Sequence, residues 1–395
     1  MNKKHFWGFA FYDFANTGYV LIMLSFLFPL FFKETIMEGA RSSDFWWGLG
    51  ISLSVTIAIL LGPFFGHRSD IGNRKKIFSY FIALAVVGVI LLGLLTEISV
   101  QVYFIVLLFT NIFFVLSQII YDSFLPQIAP KENASIVSSF AWGFGYLGGL
   151  VCLALVIVAQ GGSTDPSVVG IYVTAGFFVI FSIVSLKLLP SQIVSEQAIT
   201  SLKEAWQEAK INNVLTLLIV VWFISGGIYI ITFFGSLYAR ETLGVSIKEL
   251  GIFLIGIQFI AFPATWIFGR MGKKFGVIKP LLVSVAIWII IVLGIFVVQT
   301  KIQLVVVGVL GALVIGSTQS LLRAYYTQVS EAKHAGLDFG IYALASRSSA
   351  GIGPVLFGTL VVLTDSPRIA MLITIPAFFT GAYLLWKYNK KNSPS

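Results

Sequence analysis

The sequence predicts an all-α membrane protein of twelve spanning helices in two six-helix halves. Three observations carry this expectation. The 395 residues are 57% apolar and only 11% charged, with a mean hydropathy of +0.94, whereas soluble domains carry about 25% charged residues. Apolar runs long enough to cross a hydrocarbon layer of about 30 Å recur along the whole chain. Short motifs of the first half return in the second. This composition excludes a water-soluble enzyme.

The runs fall at 6–32, 45–65, 77–95, 102–121, 136–159 and 167–189, then at 213–238, 250–268, 280–299, 302–322, 339–363 and 369–386. They are numbered here as spans 1 to 12. Span 1 follows Lys3 and Lys4 but is too long for a signal peptide, contains Asp13 and Asn16, and lacks a small-residue cleavage site, so it is retained. The domains expected are residues 1–189 and 213–395, each a six-helix bundle, joined by a cytoplasmic linker over 190–212. Within the linker, Ser201 and Glu204 form a candidate capping box ahead of Leu202, Ala205, Trp206 and Ala209, the pattern of a short amphipathic helix lying on the membrane surface.

Charge sets the orientation. With the N-terminus inside, eighteen of the 26 Lys and Arg lie in cytoplasmic segments and six outside, while Arg323 and Arg347 lie within spans. Positive charge concentrates on cytoplasmic loops, so both termini are expected inside, and the formal charge of +9 follows from topology. No continuous basic face exists for nucleic acid. The single cysteine, Cys152, excludes a disulfide framework and a cysteine-ligated metal site. His67 and His334 fall in cytoplasmic turns and are read as bystanders. No Walker loop occurs, because Gly272-Lys273-Lys274 lacks the upstream glycine spacing and the Ser/Thr. The glycines of span 5, Gly143, Gly145, Gly148 and Gly149, match GxGxxG but sit in mid-span, where they serve close helix approach and not a nucleotide. Neither cofactor nor metal is expected.

The halves repeat. Span 2 ends in Pro63, Gly66, Asp70, Gly72, Asn73, Arg74, Lys75 and Lys76, and span 8 in Pro263, Gly269, Arg270, Lys273, Lys274 and Gly276. Gln127-Ile128-Ala129 answers to Gln328-Val329-Ser330, and Gly148 to Gly351. Six helices duplicated in parallel would give this pattern.

The segment Gly66-His67-Arg68-Ser69-Asp70-Ile71-Gly72-Asn73-Arg74-Lys75 resembles the signature loop of the major facilitator superfamily, with Asn73 in the place of a glycine and tolerating a left-handed backbone there. Lys273 stands where the second copy would carry the aspartate. Narrower motifs resemble one branch, the unknown major facilitators: Tyr12-Asp13-Phe14-Ala15-Asn16, Tyr121-Asp122-Ser123-Phe124-Leu125-Pro126, Gly145-Tyr146-Leu147-Gly148-Gly149, Gln319-Ser320-Leu321-Leu322-Arg323, and Ser346-Arg347-Ser348 with Gly353-Pro354. That branch is similar to the vacuolar amino-acid effluxers associated with autophagy, which implies amino-acid export. The branch carries an acidic residue before a glycine in span 7, where this chain reads Ile224-Ser225-Gly226-Gly227.

Polar stripes name the helices that face water, because a polar group facing lipid stays unsatisfied. Span 1 carries Asp13, Asn16 and Thr17. Span 4 carries Asn111, Gln118 and Asp122, span 7 Ser225, Tyr229, Thr232 and Ser236, and span 10 Gly316, Gln319, Arg323 and Tyr326. Spans 3 and 9 carry almost none. In the resembled fold spans 1, 4, 7 and 10 line the central cavity, so the two readings agree; for any single residue the alternative is an interhelical hydrogen bond.

Asp13 lies about 10 Å into span 1 and Arg347 about 13 Å into span 11, at 1.5 Å per residue. A charge at that depth costs at least about 2.5 kcal/mol unless it faces a cavity or a partner. Asp13 is therefore a candidate for a proton or a substrate ammonium group, and Arg347 or Arg323 for a carboxylate. Alternatively Asp13 and Arg347 pair to hold the halves together, and Arg323 and Asp122, near helix ends, snorkel or cap. The expected substrate and coupling set is Asp13, Asn16, Gln118, Asp122, Ser225, Tyr229, Gln319, Arg323 and Arg347, with Gly66, Asp70, Arg74 and Lys75 as the gating loop.

The expected function is secondary transport by alternating access, exporting amino acids or similar zwitterions, with protons as a candidate coupling ion. The alternatives are a drug, sugar or organic-anion transporter, or a nontransporting receptor or scaffold, for which duplicated halves with polar stripes have no use. The partners expected are a small solute and the lipid bilayer, for a monomer. Short loops and a Lys/Ile-rich composition point to a bacterial cytoplasmic membrane.

Overall fold

The computed structural model describes residues 1–163, 165–191, 214–245 and 247–392. Among them every regular element is helical, the form that satisfies all backbone donors and acceptors inside one segment in lipid. Eleven of these helices are long and apolar enough to cross a membrane. The helix over span 11, Ala335–Thr364, is not among the eleven, and its positions 351, 352, 354 and 355 have side chains outside the described set. The expected linker helix, Ser201 and Glu204 included, lies outside the described residues.

The chain divides into two compact units. The first comprises Met1–Pro130, Phe144–Ala198 and Ala332–Gly340. It holds α1 (Lys3–Tyr19), α2 (Leu27–Phe31), α3 (Ser43–Ile71), α4 (Arg74–Leu94), α5 (Val100–Asp122), α6 (Leu125–Ile128), most of α7 (Ala134–Ala159) and α8 (Val168–Leu188). In it α1 packs on α8, α3 on α5, and α4 on both α5 and α8. The second comprises Lys131–Gly143, Ile199–Glu331 and Ile341–Ser395. It holds the start of α7, then α9 (Val214–Leu243), α10 (Ile247–Phe275), α11 (Ile278–Val297), α12 (Lys301–Val329), most of α13 (Ala335–Thr364), α14 (Pro367–Met371) and α15 (Thr374–Asn392). Here α9 packs on α15, α10 on α12, and α11 on both α12 and α15, so the pairing of the first unit recurs. The first turns of α7 and α13 thus belong to a different unit from the rest of each helix.

Span 1 is not the single helix that its hydropathy suggests. After α1 the backbone widens into π-helical turns over Val20–Ser25 and breaks at Phe26 (φ −131°, ψ −79°) before α2. Pro29 sits in α2 without an N–H to donate back across the break, and wide turns of this kind absorb such a mismatch.

The turn between α3 and α4 differs from expectation in a similar way. Helix α3 runs on through Asp70 to Ile71, leaving only Gly72 and Asn73 as connection. Asn73 is not left-handed: at φ −94° it is extended, and its side-chain oxygen accepts from the Lys76 N–H as the N-cap of α4. An asparagine gains more from capping than from a strained backbone. Gly276, at the corresponding place after α10, has φ +81°, so glycine takes the left-handed turn where it is present.

The motif in α1 splits between packing and polar work. Tyr12 is fully buried, its hydroxyl 2.6 Å from Ser117 Oγ and its ring 4.8 Å from Phe78 and 4.5 Å from Tyr121. Gly148 brings α7 onto α1, since a Cβ there would lie 2.7 Å from the carbonyl carbon of Phe14. The small residues of span 5 therefore do serve close approach.

Candidate functional site

In the first unit, the expected polar residues of spans 1 and 4 meet. Gln118 Nε2 donates to Asn16 Oδ1 at 2.6 Å, joining α5 to α1. Asp13 lies on the same helix, one turn toward the N-terminus from Asn16 and Thr17, and is only 5% exposed. Gly145 of α7 closes this side, where a Cβ would come 2.8 Å from the Asp13 carbonyl oxygen. Asp122 is the half-buried last residue of α5. Asp13, Asn16, Thr17 and Gln118 thus stand on two helices of an otherwise apolar bundle, where a charge without a partner is expensive. Asn111 does not join them. Its Nδ2 donates to Ser54 Oγ at 2.6 Å, tying α5 to α3, the interhelical alternative for a polar residue in a span.

The gating residues form a buried network in the same unit. The Asp70 carboxylate accepts from the Gly336 N–H and the Leu337 N–H, each at 2.8 Å. These are the second and third residues of α13, so Asp70 caps that helix from α3 and places negative charge at its positive end. Arg74 pairs with Asp70, both essentially unexposed, and its Nη1 donates to the Ser123 carbonyl at 2.8 Å. Gly66 makes the approach possible, since a Cβ would stand 2.6 Å from the Gly336 carbonyl carbon. Gly340 meets Gly62 in the same manner, its Cβ position 2.7 Å from the Gly62 carbonyl oxygen. Lys75 is drawn elsewhere, its Nζ donating to the Leu189 carbonyl at 3.1 Å. His67 lies within α3 and not in a turn, whereas His334 is buried in a short 3₁₀ turn ahead of α13, 3.9 Å from Asp338.

In the second unit, Ser225 is buried and Tyr229 half-buried on α9, Gln319 half-buried on α12, and Arg347 half-buried on α13. Thr232 turns its hydroxyl to the Ile228 carbonyl of its own helix at 2.9 Å. Ser236 has a side chain outside the described set. Arg323 neither snorkels nor caps. It is 2% exposed, with Nε 2.9 Å from Ser138 Oγ, Nη2 3.0 Å from the Ser138 carbonyl, and its guanidinium 4.9 Å from the Trp142 ring centroid. A guanidinium with its donors and its flat face engaged in protein contacts has little reason to reach for the interface.

The partners missed from the sequence are those of Asp70 and of Arg323: Gly336 and Leu337 for Asp70, and Ser138 and Trp142 for Arg323. All stand in the first turns of α13 or α7, and nothing in the sequence there points to Asp70 or Arg323 as a partner.

Comparison with known proteins agrees with this architecture. Residues 48–394 match the family described as vacuole effluxer Atg22 like. The chain is 26% identical over 398 residues to the MFS-type transporter YxiO of Bacillus subtilis, covering 95% of this chain and 92% of that one. It is 23% identical over 275 residues to autophagy-related protein 22 of Cryptococcus neoformans, covering 62% of this chain and 48% of that protein. Among solved structures, the human organic anion transporter MFSD10 (TETRAN) superposes with a TM-score of 0.78 at 12% identity, over 98% of this chain and all of that one. A bacterial homologue of the iron transporter ferroportin, in an outward-facing state, superposes with a TM-score of 0.76 at 12% identity over 98% of both chains. The apolar helices, the signature loop around Asp70 and the match over most of the chain lead to one conclusion: this multi-pass membrane transporter belongs to the Atg22-like family of the major facilitator superfamily.

Proposed function

We propose that the chain exports amino acids or similar small zwitterions by alternating access, as a secondary transporter in a bacterial cytoplasmic membrane with both termini inside. The observation that carries this reading is the buried polar group on α1 and α5, Asp13 with Asn16 and Gln118, set in apolar surroundings. A carboxylate there is suited to a proton or to the ammonium end of a zwitterion. In the second unit, Arg347 with Ser225, Tyr229 and Gln319 offers groups of the kind that suit a carboxylate. The similarity to Atg22 proteins supports the substrate class, and the YxiO relative supports a bacterial membrane.

Asp70 and Arg74 act as the cytoplasmic latch. Releasing Gly336 and Leu337 costs two charge-assisted hydrogen bonds, so the latch holds one state until substrate or proton binding offsets that cost. In this reading residues 1–189 and 213–395 act as the two six-helix bundles of an alternating-access carrier, joined by residues 190–212. Purified protein in liposomes, screened with labelled amino acids with and without a pH gradient, tests this. Uptake of one or a few amino acids that responds to the gradient is expected; movement of none of them under either condition refutes the substrate class.

A further inference from the structure

The two repeats are charge-reversed at the ends of their second and fourth spans. Asp70 answers to Lys273, as Gly66 answers to Gly269. Asp122 answers to Arg323 on the spacing that relates Gln127 to Gln328. In the first unit the glycine-lined end of α3 receives the start of α13, and Asp70 caps it. In the second unit the glycine-lined end of α10 receives the start of α7. A Cβ on Gly269 would lie 2.5 Å from Ser139 Cβ, and one on Gly272 2.9 Å from Ser135 Cβ. Lys273 cannot repeat the cap, because a cation at a helix N-terminus opposes the dipole, and it is exposed.

A different attachment is built in its place. Arg323 holds Ser138 by both its hydroxyl and its carbonyl. Ser138 Oγ also donates to the Ser320 carbonyl at 2.8 Å, and Ser139 Oγ lies 2.9 Å from Ser320 Oγ. Trp142 covers the guanidinium one turn further on. Three side chains of α7 are thus fastened to one face of α12, all of them buried or half-buried.

We propose that Arg323 is a positioning residue, the centre of a second cytoplasmic latch that fastens the first turns of α7 to α12 and replaces the carboxylate latch that Lys273 cannot form. The proposal rests on the alternating-access reading. Its release frees the start of α7 for the inward-open state, as release of Asp70 frees the start of α13. A guanidinium suits this role, since it binds two acceptors at once and stays charged at every physiological pH.

The test uses Ser135→Cys, whose hydroxyl has no hydrogen-bond partner to lose, in full-length protein in lipid nanodiscs without substrate. The rate of maleimide labelling reports how often the start of α7 opens. Native Cys152, wholly buried in the first unit, is the internal control. Arg323→Gln should speed labelling about tenfold, the loss of bonds from a charged donor, while Cys152 stays unlabelled. Arg323→Lys, which keeps the charge but not the double contact, should give a smaller increase, and it serves as the test if Arg323→Gln does not fold. Ser138→Ala alone should also speed labelling, since its hydroxyl bonds both Arg323 and the Ser320 carbonyl, and added to Arg323→Gln it should give less than the product of the two effects, because the Arg323–Ser138 bond is shared. An unchanged rate, labelling of Cys152 in parallel, or multiplying effects of the two substitutions would overturn the proposal. Vesicles that move no solute would instead refute the transport reading, and the labelling rates would still decide the latch.

Discussion

Replacing Asp70 by Asn tests the first latch with little change in size. The carboxylate accepts from two backbone N–H groups of α13 at 2.8 Å and pairs with Arg74. Asparagine offers one oxygen, so one N–H loses its acceptor, worth about 1.5–3 kcal/mol for a bond to a charged group. The substitution also leaves Arg74, which is wholly buried, without its carboxylate; breaking a buried pair costs about 3–5 kcal/mol. Arg74 keeps its bond to the Ser123 carbonyl, and one capping bond survives, so the net effect belongs near the lower end, at about 3 kcal/mol. At 1.4 kcal/mol per decade that is a shift of about a hundredfold in the closed-to-open ratio. Hydrogen exchange of the peptide spanning the start of α13 reads this ratio directly, since Gly336 and Leu337 exchange when the latch opens. Protection there should fall by about two decades, with peptides from α5 and α8 unchanged, and substrate turnover should slow because the outward state is no longer held. Undiminished protection at Gly336 and Leu337 in a folded Asp70→Asn protein would refute the latch.

Three further outcomes follow from the same contacts. Asp13→Asn should abolish uptake driven by a pH gradient while leaving substrate exchange at equal pH, because exchange needs no net proton transfer; intact gradient-driven uptake would remove Asp13 as the proton carrier. Gly148→Ala would place a Cβ against the Phe14 carbonyl, so the melting temperature in detergent should drop in line with a cost of about 1–3 kcal/mol for overpacking; an unaltered melting temperature would contradict the close approach of α7 to α1. A cysteine substituted for Arg368 should react with impermeant reagent from outside intact cells and one substituted for Lys76 only after permeabilisation, and the reverse pattern would invert the topology.

Membrane character, the helical class and the family were legible in the sequence because each depends on composition or on short local patterns. Hydropathy over about 20 residues registers the requirement that backbone groups be satisfied within one segment. The signature ending in Asp70, Arg74 and Lys75 is contiguous in the chain, so it could be read at sight. The partner of Asp70 could not, since Gly336 and Leu337 lie 266 and 267 residues away and offer only backbone N–H groups, which every residue but proline has.

Polar stripes were informative about helices and ambiguous about single residues. Gln118 joins Asn16 of α1 and Asn111, on the same helix, joins Ser54 of α3, so each makes the interhelical hydrogen bond that was the alternative to facing water. Sequence periodicity fixes which side of a helix a residue occupies, but only the neighbouring helix decides whether that side meets water or a hydroxyl.

Composition and local motifs were enough to assign the lipid environment, the helical class and the family, because hydrophobic length and short motifs act over a few turns of chain. Tertiary structure alone decided the break in span 1, the capping of α13 by Asp70, and the hydrogen bonds that tie Arg323 to Ser138. Each of these depends on which backbone groups are left without a partner when distant segments pack. That is set by the three-dimensional arrangement of helices and leaves no periodic or compositional trace in any one of them.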